Sequence, residues 1–343
     1  MMQNSGWNTP ENLKPFSAAV EEDVIRLINS ALIGNSKHTT SYKFAFFKSI
    51  LDNIFNVDLN STPECFLSFD SISLRFSEIY WNLVVREKLR QMPKNQDGKI
   101  SAIEKTLYAF IEKYGYSTTE TAFAFEGLSS EQQLELSQNI KKNVVTNYVL
   151  GAFCCDTNWE FYHYSKPKKW NGIYLNGNFF TVLTKYRSDF EKVNYFEWIK
   201  YLEDINQEED SYCLANKLDR STQRENLNPY RKVLFDFGQT TCFYCNKRLA
   251  KNAVDHFIPW SFVKDDKLWN FVLACPSCNS KKSDKLTTQN FLNALKARNE
   301  KLSNMEDNLV QSQFKAYAHS KLQLLYNNAL YNGYTYGWEP KHP

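Results

Sequence analysis

Residues 242–285 read CFYCNKRLAKNAVDHFIPWSFVKDDKLWNFVLACPSCNSKKSDK, and the positions of four cysteines decide how this part of the chain folds. Cys242 and Cys245 form one Cys-x-x-Cys pair, Cys275 and Cys278 a second. A turn of that length brings two thiolates within ~4 Å of each other, and two such turns supply the four soft ligands of a tetrahedral zinc ion. A closed shell of four thiolates leaves no open position, so this zinc builds structure rather than performing chemistry. Redox-active or separately buried cysteines would explain neither the pairing nor its symmetry. The 29 residues between the pairs exceed the ~15–20 of a simple zinc ribbon, so they must hold further structure.

Two β-prone runs lie in that insert, residues 254–258, closed by Pro259, and residues 269–275. Two antiparallel strands joined by a long loop, with a helix from about Asn279, make a ββα unit clamped by zinc at its base. Asp255 and His256 stand back to back on the first strand. Adjacent strand residues point to opposite faces, so a bend near Pro259 is expected if both are to serve one site. A neutral imidazole at His256 is suited to general-base work near neutral pH. The carboxylate of Asp255 and the carboxamide oxygen of Asn279 are hard donors that suit Mg²⁺ or Mn²⁺. Lys281, Lys282 and Lys285 follow directly and are candidates for phosphate contacts. Residue types alone also allow a satisfied structural Asp–His pair, a turn role for Asn270 and an ordinary solvated face for the lysines.

With these positions in register, the segment resembles an HNH endonuclease domain over about residues 230 to 290. Asp255 and His256 match the first motif element, Asn270 the middle asparagine, and Asn279 the last position. The string DHFIPWSFVKDD also resembles the HNH domain of RNA-guided CRISPR nucleases, including the interval from the histidine to both asparagines, although those domains lack the four-thiolate zinc. The aromatic helical N-terminal region and the tail NNALYNGYTYGW resemble a group of bacterial HNH nucleases found among antiphage systems. The resemblance implies a ββα-metal fold and hydrolysis of phosphodiester bonds in DNA. It also implies that Asn270 ties the loop to the strand carrying His256 and holds the imidazole's orientation. A partner ATPase or sensor protein of a defence system is the implied companion. RNA-directed, toxin-like cleavage is the alternative, since the site's ligands do not read the sugar; a non-catalytic zinc module that binds nucleic acid is another.

The rest of the chain reads as helical. Its 343 residues, 43% hydrophobic and 15% aromatic, supply core for two or three domains. A net charge of +3 is too mild to dictate a nucleic-acid partner, which would have to be met by a local basic surface. No secretory start and no apolar run of ~18 residues is present, so the expected location is the cytoplasm, with no membrane partner. The spacing predicts helices over residues 21–34 and 39–55, from Ser130 and Gln133 as a capping box toward Val149, from Asn194 to 206, over 291–302 and over 313–330. Residues 207–229, with the acidic run Glu208, Glu209 and Asp210, read as a linker with one short helix. KPKKWNGIYLNGNFF sets Lys166, Lys168 and Lys169 beside Trp170, suited either to nucleic acid or to a solvated loop, with Asn176–Gly177 as a hairpin turn. Cys65, Cys154, Cys155 and Cys213 are expected to be buried. The expected fold is mainly α with a small α+β module. It divides into a helical sensing or targeting domain at 1–228, an HNH domain at 229–290 and a C-terminal helical extension at 291–343.

Overall fold

The computed structural model describes residues 21–33, 39–56, 64–94, 97–117, 122–164, 172–207, 214–221, 227–263, 266–315 and 317–340. The readings of Gly34, Lys166, Lys168, Lys169, Trp170, Glu208–Asp210 and Cys213 fall outside them. The described chain is mostly helical, and none of its helices is long and apolar enough to cross a membrane. It divides into two compact units, Met1–Leu183 with Asp189–Gln223, and Thr184–Ser188 with Arg224–Pro343.

In the first unit, helix Glu21–Leu32 buries Val24, Leu27, Ile28, Ala31 and Leu32, the face that its 3.6-residue period predicts. Helix Tyr42–Asn53 is buried almost all round. Its aromatic residues mesh with a later helix, Phe46 and Phe47 lying 5.7 and 5.8 Å from the ring of Phe153. The capping box expected at Ser130 and Gln133 falls one residue earlier, on Ser129 and Gln132, and the helix Ser130–Ile140 continues as a π-helical stretch over Lys141–Val149. There Thr146 Oγ1 donates to the carbonyl of Lys141, five residues back, at 3.0 Å. Helix Arg187–Ile205, whose residues from Asp189 onward belong to this unit, starts seven residues before the expected Asn194.

A sheet that periodicity missed also belongs to this unit. Strands β1 (Glu64–Ser68), β2 (Tyr162–His163) and β3 (Gly172–Asn176) pair antiparallel with β3 in the middle. The hairpin turn expected at Asn176–Gly177 is instead a strand-to-helix junction, because Asn176 Oδ1 accepts the amide of Asn178 at 2.8 Å as helix Gly177–Lys185 begins. Cys65 and Cys154 are buried and Cys155 half-buried.

The second unit is built on β4 (Ala253–His256) and β5 (Phe271–Ala274), antiparallel, with Asp255 opposite Val272 and His256 opposite Phe271. The following helix is Pro276–Lys282, three residues ahead of the expected start at Asn279. Pro276 sits in the first turn, where a missing N–H costs nothing, and Cys275 caps it by accepting the amide of Cys278 on its sulfur. Tyr230, Val233 and Leu234 of helix Asn228–Asp236 share a core with Leu268, Phe271 and Leu273, and Leu302 and Val310 join it from beyond residue 290. The residues expected as a separate C-terminal extension therefore close the same core. They form helices Gln289–Leu302, Asn308–Phe314 and His319–Tyr331, so the single helix expected over 313–330 is broken.

Side chains also cover the outer edge of β5. The carbonyls of Trp269, Phe271 and Leu273 accept from Asn299 Nδ2 (2.8 Å), Arg298 Nη2 (2.8 Å) and Gln239 Nε2 (3.1 Å). These bonds satisfy a strand edge that would otherwise offer itself to another chain. The tail returns to the module as well: Leu286 N donates to Thr335 O, Trp338 N to Leu286 O, and the Trp338 ring stands edge-on to Tyr244 at 5.2 Å.

Candidate active site and metal centre

The four cysteines meet. Their sulfurs all lie within 4.8 Å of one another, and Cys245 Sγ is 3.9 Å from Cys275 Sγ. Zn–S bonds of ~2.3 Å in a tetrahedron would set sulfurs about 3.8 Å apart, so both the donor set and its spacing fit zinc. The first knuckle is a small hairpin: Cys242 N donates to Lys247 O at 2.8 Å, Thr241 bridges to Arg248, and Asn246 turns the chain at φ 58°. Asparagine tolerates that left-handed conformation better than most residues. The second knuckle is the capped helix start at Cys275, and Phe243 N joins the two through a 3.0 Å bond to Leu273 O on β5. Burial raises the thiols of Cys242 and Cys278. At Cys275 burial acts the same way but is outweighed by hydrogen bonds from Cys278 and the neighbouring thiols, which lower it.

Asp255 and His256 are both buried. Strand pairing is continuous through them, so the bend expected at the pair is not there; the chain bends only after it, at Phe257–Ile258, and the two side chains keep the opposite faces of a regular strand. Asn270 fixes that bend. Its Oδ1 accepts Ile258 N at 2.9 Å and its Nδ2 donates to Ile258 O at 3.0 Å, while its own carbonyl accepts Phe257 N at 2.8 Å. The loop is thus pinned two residues beyond His256.

The strand's alternation sends the paired side chains to different partners. His256 Nε2 lies 2.7 Å from Asp266 Oδ1, and its ring stands edge-on to Phe271 at 4.6 Å. An ionised carboxylate only accepts, so a neutral imidazole bonded this way carries its proton on Nε2 and its lone pair on Nδ1. Asp255 accepts from the phenol of Tyr244 and from Lys282 Nζ, which is 3.1 Å from Oδ2 and 3.4 Å from Oδ1. Lys282 Nζ also donates to the carbonyl of His256 at 2.7 Å. Burial, reinforced by the Asp255 charge, holds the Tyr244 phenol well above its usual range, so it stays a donor. Burial lowers Lys282, with Asp255 opposing.

Asn279 is half-buried in the first half of the same helix, and Lys281 and Lys285 are exposed. Lys282 departs from the expectation that all three lysines face phosphate. It is fully buried, and its ammonium is bound within the strand–helix junction. Among the described residues the four cysteines are the one group of three or more His, Cys, Asp or Glu side chains drawn together as metal ligands. Asp255 and Asn279 offer the carboxylate and amide oxygens that suit a hard divalent ion, fewer than such an ion's full shell, so water and phosphate would complete it.

Sequence reasoning missed Tyr244 and Asp266. Tyr244 stands inside the first knuckle, where the cysteines drew the reading. Asp266 ends the acidic pair of FVKDD, a pattern equally natural in a solvated loop. A carboxylate ten residues from the histidine became informative only once the loop was closed.

Comparison with known families matches residues 242–288 to the model of an HNH endonuclease. The match takes in both knuckles, β4, β5 and the helix between Cys275 and Ser283. No curated protein and no solved structure matches the chain.

Proposed function

We propose that the HNH endonuclease module at residues 242–288 makes this protein a divalent-metal-dependent nuclease that hydrolyses phosphodiester bonds of DNA, in bacterial antiphage defence or restriction. The observation that carries this reading is the buried His256–Asp266 pair, held beside Asp255 on a strand whose exit is locked by Asn270. His256 takes a proton from the attacking water at Nδ1, and Asp266 stabilises the imidazolium that forms. Asp255 and Asn279 would hold Mg²⁺ or Mn²⁺, which when bound supplies a Lewis acid for charge developing on the phosphate. Lys281 and Lys285, exposed at the end of the helix, meet the backbone on either side. DNA as substrate is supported by the resemblance of the sequence to HNH endonucleases, and the defence setting and a controlling ATPase or sensor by its resemblance to the antiphage group. The larger helical unit is then the sensing or targeting part.

Plasmid DNA and a structured RNA, digested in parallel with Mg²⁺ or Mn²⁺ by the parent and by His256→Ala, test the reading. Cleavage of DNA by the parent alone is the expected result. A parent that cuts no better than the variant under either metal would end the enzyme reading, and preferential loss of RNA would move it to a toxin-like nuclease.

A further inference from the structure

Lys282 bonds to both members of the Asp255–His256 pair, and it does so from complete burial. A buried ammonium is costly unless it is paired and hydrogen-bonded. Here its partners are both oxygens of Asp255 and the carbonyl of His256, all on β4. Tyr244 donates to Asp255 as well. The carboxylate is therefore already neutralised: Oδ2 accepts from both Tyr244 and Lys282, and the ammonium also lies 3.4 Å from Oδ1.

We propose that the ammonium of Lys282 is the resting counter-cation of Asp255, and that a divalent ion reaches this carboxylate only by displacing it. The proposal rests on the nuclease reading in taking Asp255 as a ligand. Mg²⁺ and Mn²⁺ bind carboxylate oxygens at about 2.1 Å, closer than the 3.1 Å ammonium contact, so the two cations compete for the same atoms. Holding both against one carboxylate sets like charges a few ångströms apart in a site shielded from water. In this proposal the ammonium leaves at the helix end. Lys281 and Ser283, on either side of Lys282, are both exposed, and Ser283 terminates the helix at φ 46°. A displaced Lys282 would emerge beside Lys281 and Lys285, where a phosphate can take over as its counter-ion. Metal and nucleic acid then bind cooperatively, each relieving what the other leaves unpaired.

The test is Mn²⁺ binding by the zinc-loaded full chain without nucleic acid, followed by the resonance of the free ion. Lys282→Met should bind Mn²⁺ with a dissociation constant about tenfold or more below the parent's, and the gain should vanish in Lys282→Met/Asp255→Asn. Equal or weaker binding by Lys282→Met overturns the proposal. Should Lys282→Met fail to fold, because Asp255 is left an unpaired buried charge, acetylation of the parent read by mass spectrometry decides the question. Lys282 should be inert without Mn²⁺ and become reactive with it, Lys281 reacting in both states as the reference. Continued protection of Lys282 with Mn²⁺ bound, or a protein that takes up no Mn²⁺ in any form at millimolar concentration, overturns it. Cleavage is not among these readings, so an inactive protein would sink the nuclease assignment without deciding this one.

Discussion

Asn270 and Asp266 show how much of this site rests on single side chains. Asn270 uses both ends of its carboxamide on one residue, Ile258, donating and accepting while 1% exposed. Asn270→Ala leaves a buried amide and a buried carbonyl unpaired, so the protein should lose about 2–4 kcal/mol in a denaturant melt while its zinc content stays at one ion. Asp266 acts on the imidazole rather than on substrate. Removing it leaves His256 in place but free to turn and to change tautomer. Asp266→Ala should therefore lower kcat on DNA by about 10² with KM little changed, and Asp266→Asn, whose carbonyl can still accept from Nε2, should recover part of the loss. A fall in KM-dependent binding with kcat intact would assign Asp266 to the substrate instead.

At the scale of the element, the helix Pro276–Lys282 has seven residues, too few to persist alone in water. It is held at both ends. Cys275 and Cys278 tie its first turn to the knuckle, and Lys282 ties its last turn to β4. A zinc ion held by the four cysteines would thus be coupled to the strand that carries Asp255 and His256, and its binding energy would be folding energy. Cys275→Ser should lose the metal and the unfolding transition that depends on it, as a strong chelator should in the parent. His256→Ala should keep both and lose only cleavage. Equal loss of zinc and melting temperature in the two variants would contradict this division. The fold of this element was legible in outline: the two knuckle spacings predicted that the four cysteines meet, and the β-prone runs predicted two strands. Its start was misplaced by three residues because the cap is a cysteine sulfur, a role that residue preference at helix starts does not anticipate.

Across the whole molecule, the second unit borrows from a distant part of the sequence. Thr184–Ser188 belongs to it, and the fully buried Arg187 donates from Nη1 to the carbonyl of Phe262 at 2.9 Å, across the loop that follows β4. Asn332 reaches the carbonyl of Lys185 from the C-terminal side. Arg187→Ala opens a cavity and leaves that carbonyl unpaired, so it should cost about 2–4 kcal/mol. The loss should appear in the transition that zinc removal abolishes, although the residue lies more than fifty positions upstream of Cys242. A variant with an unchanged zinc-dependent transition would show that this strap carries no load. The aromatic helices of the first unit were readable as core from their spacing. The sheet β1–β3–β2 was not, because its strands are 5, 5 and 2 residues long in that order and β1 lies about a hundred residues before the other two, so no local period marks them.

By itself the sequence determined the chemistry available: four thiolates at knuckle spacing, two short β-prone runs, and an aspartate, a histidine and two asparagines at fixed intervals. Those choices are local, set by turn length and ligand softness, and survive in a linear string. Only the tertiary structure decided which groups hold one another: Asp266 on His256, Asn270 on Ile258, and Lys282 with Tyr244 on Asp255. Partnership between side chains is a matter of burial, since a charge or amide shut away from water must find its counterpart wherever the fold has brought one. Spacing along the chain carries no record of that search.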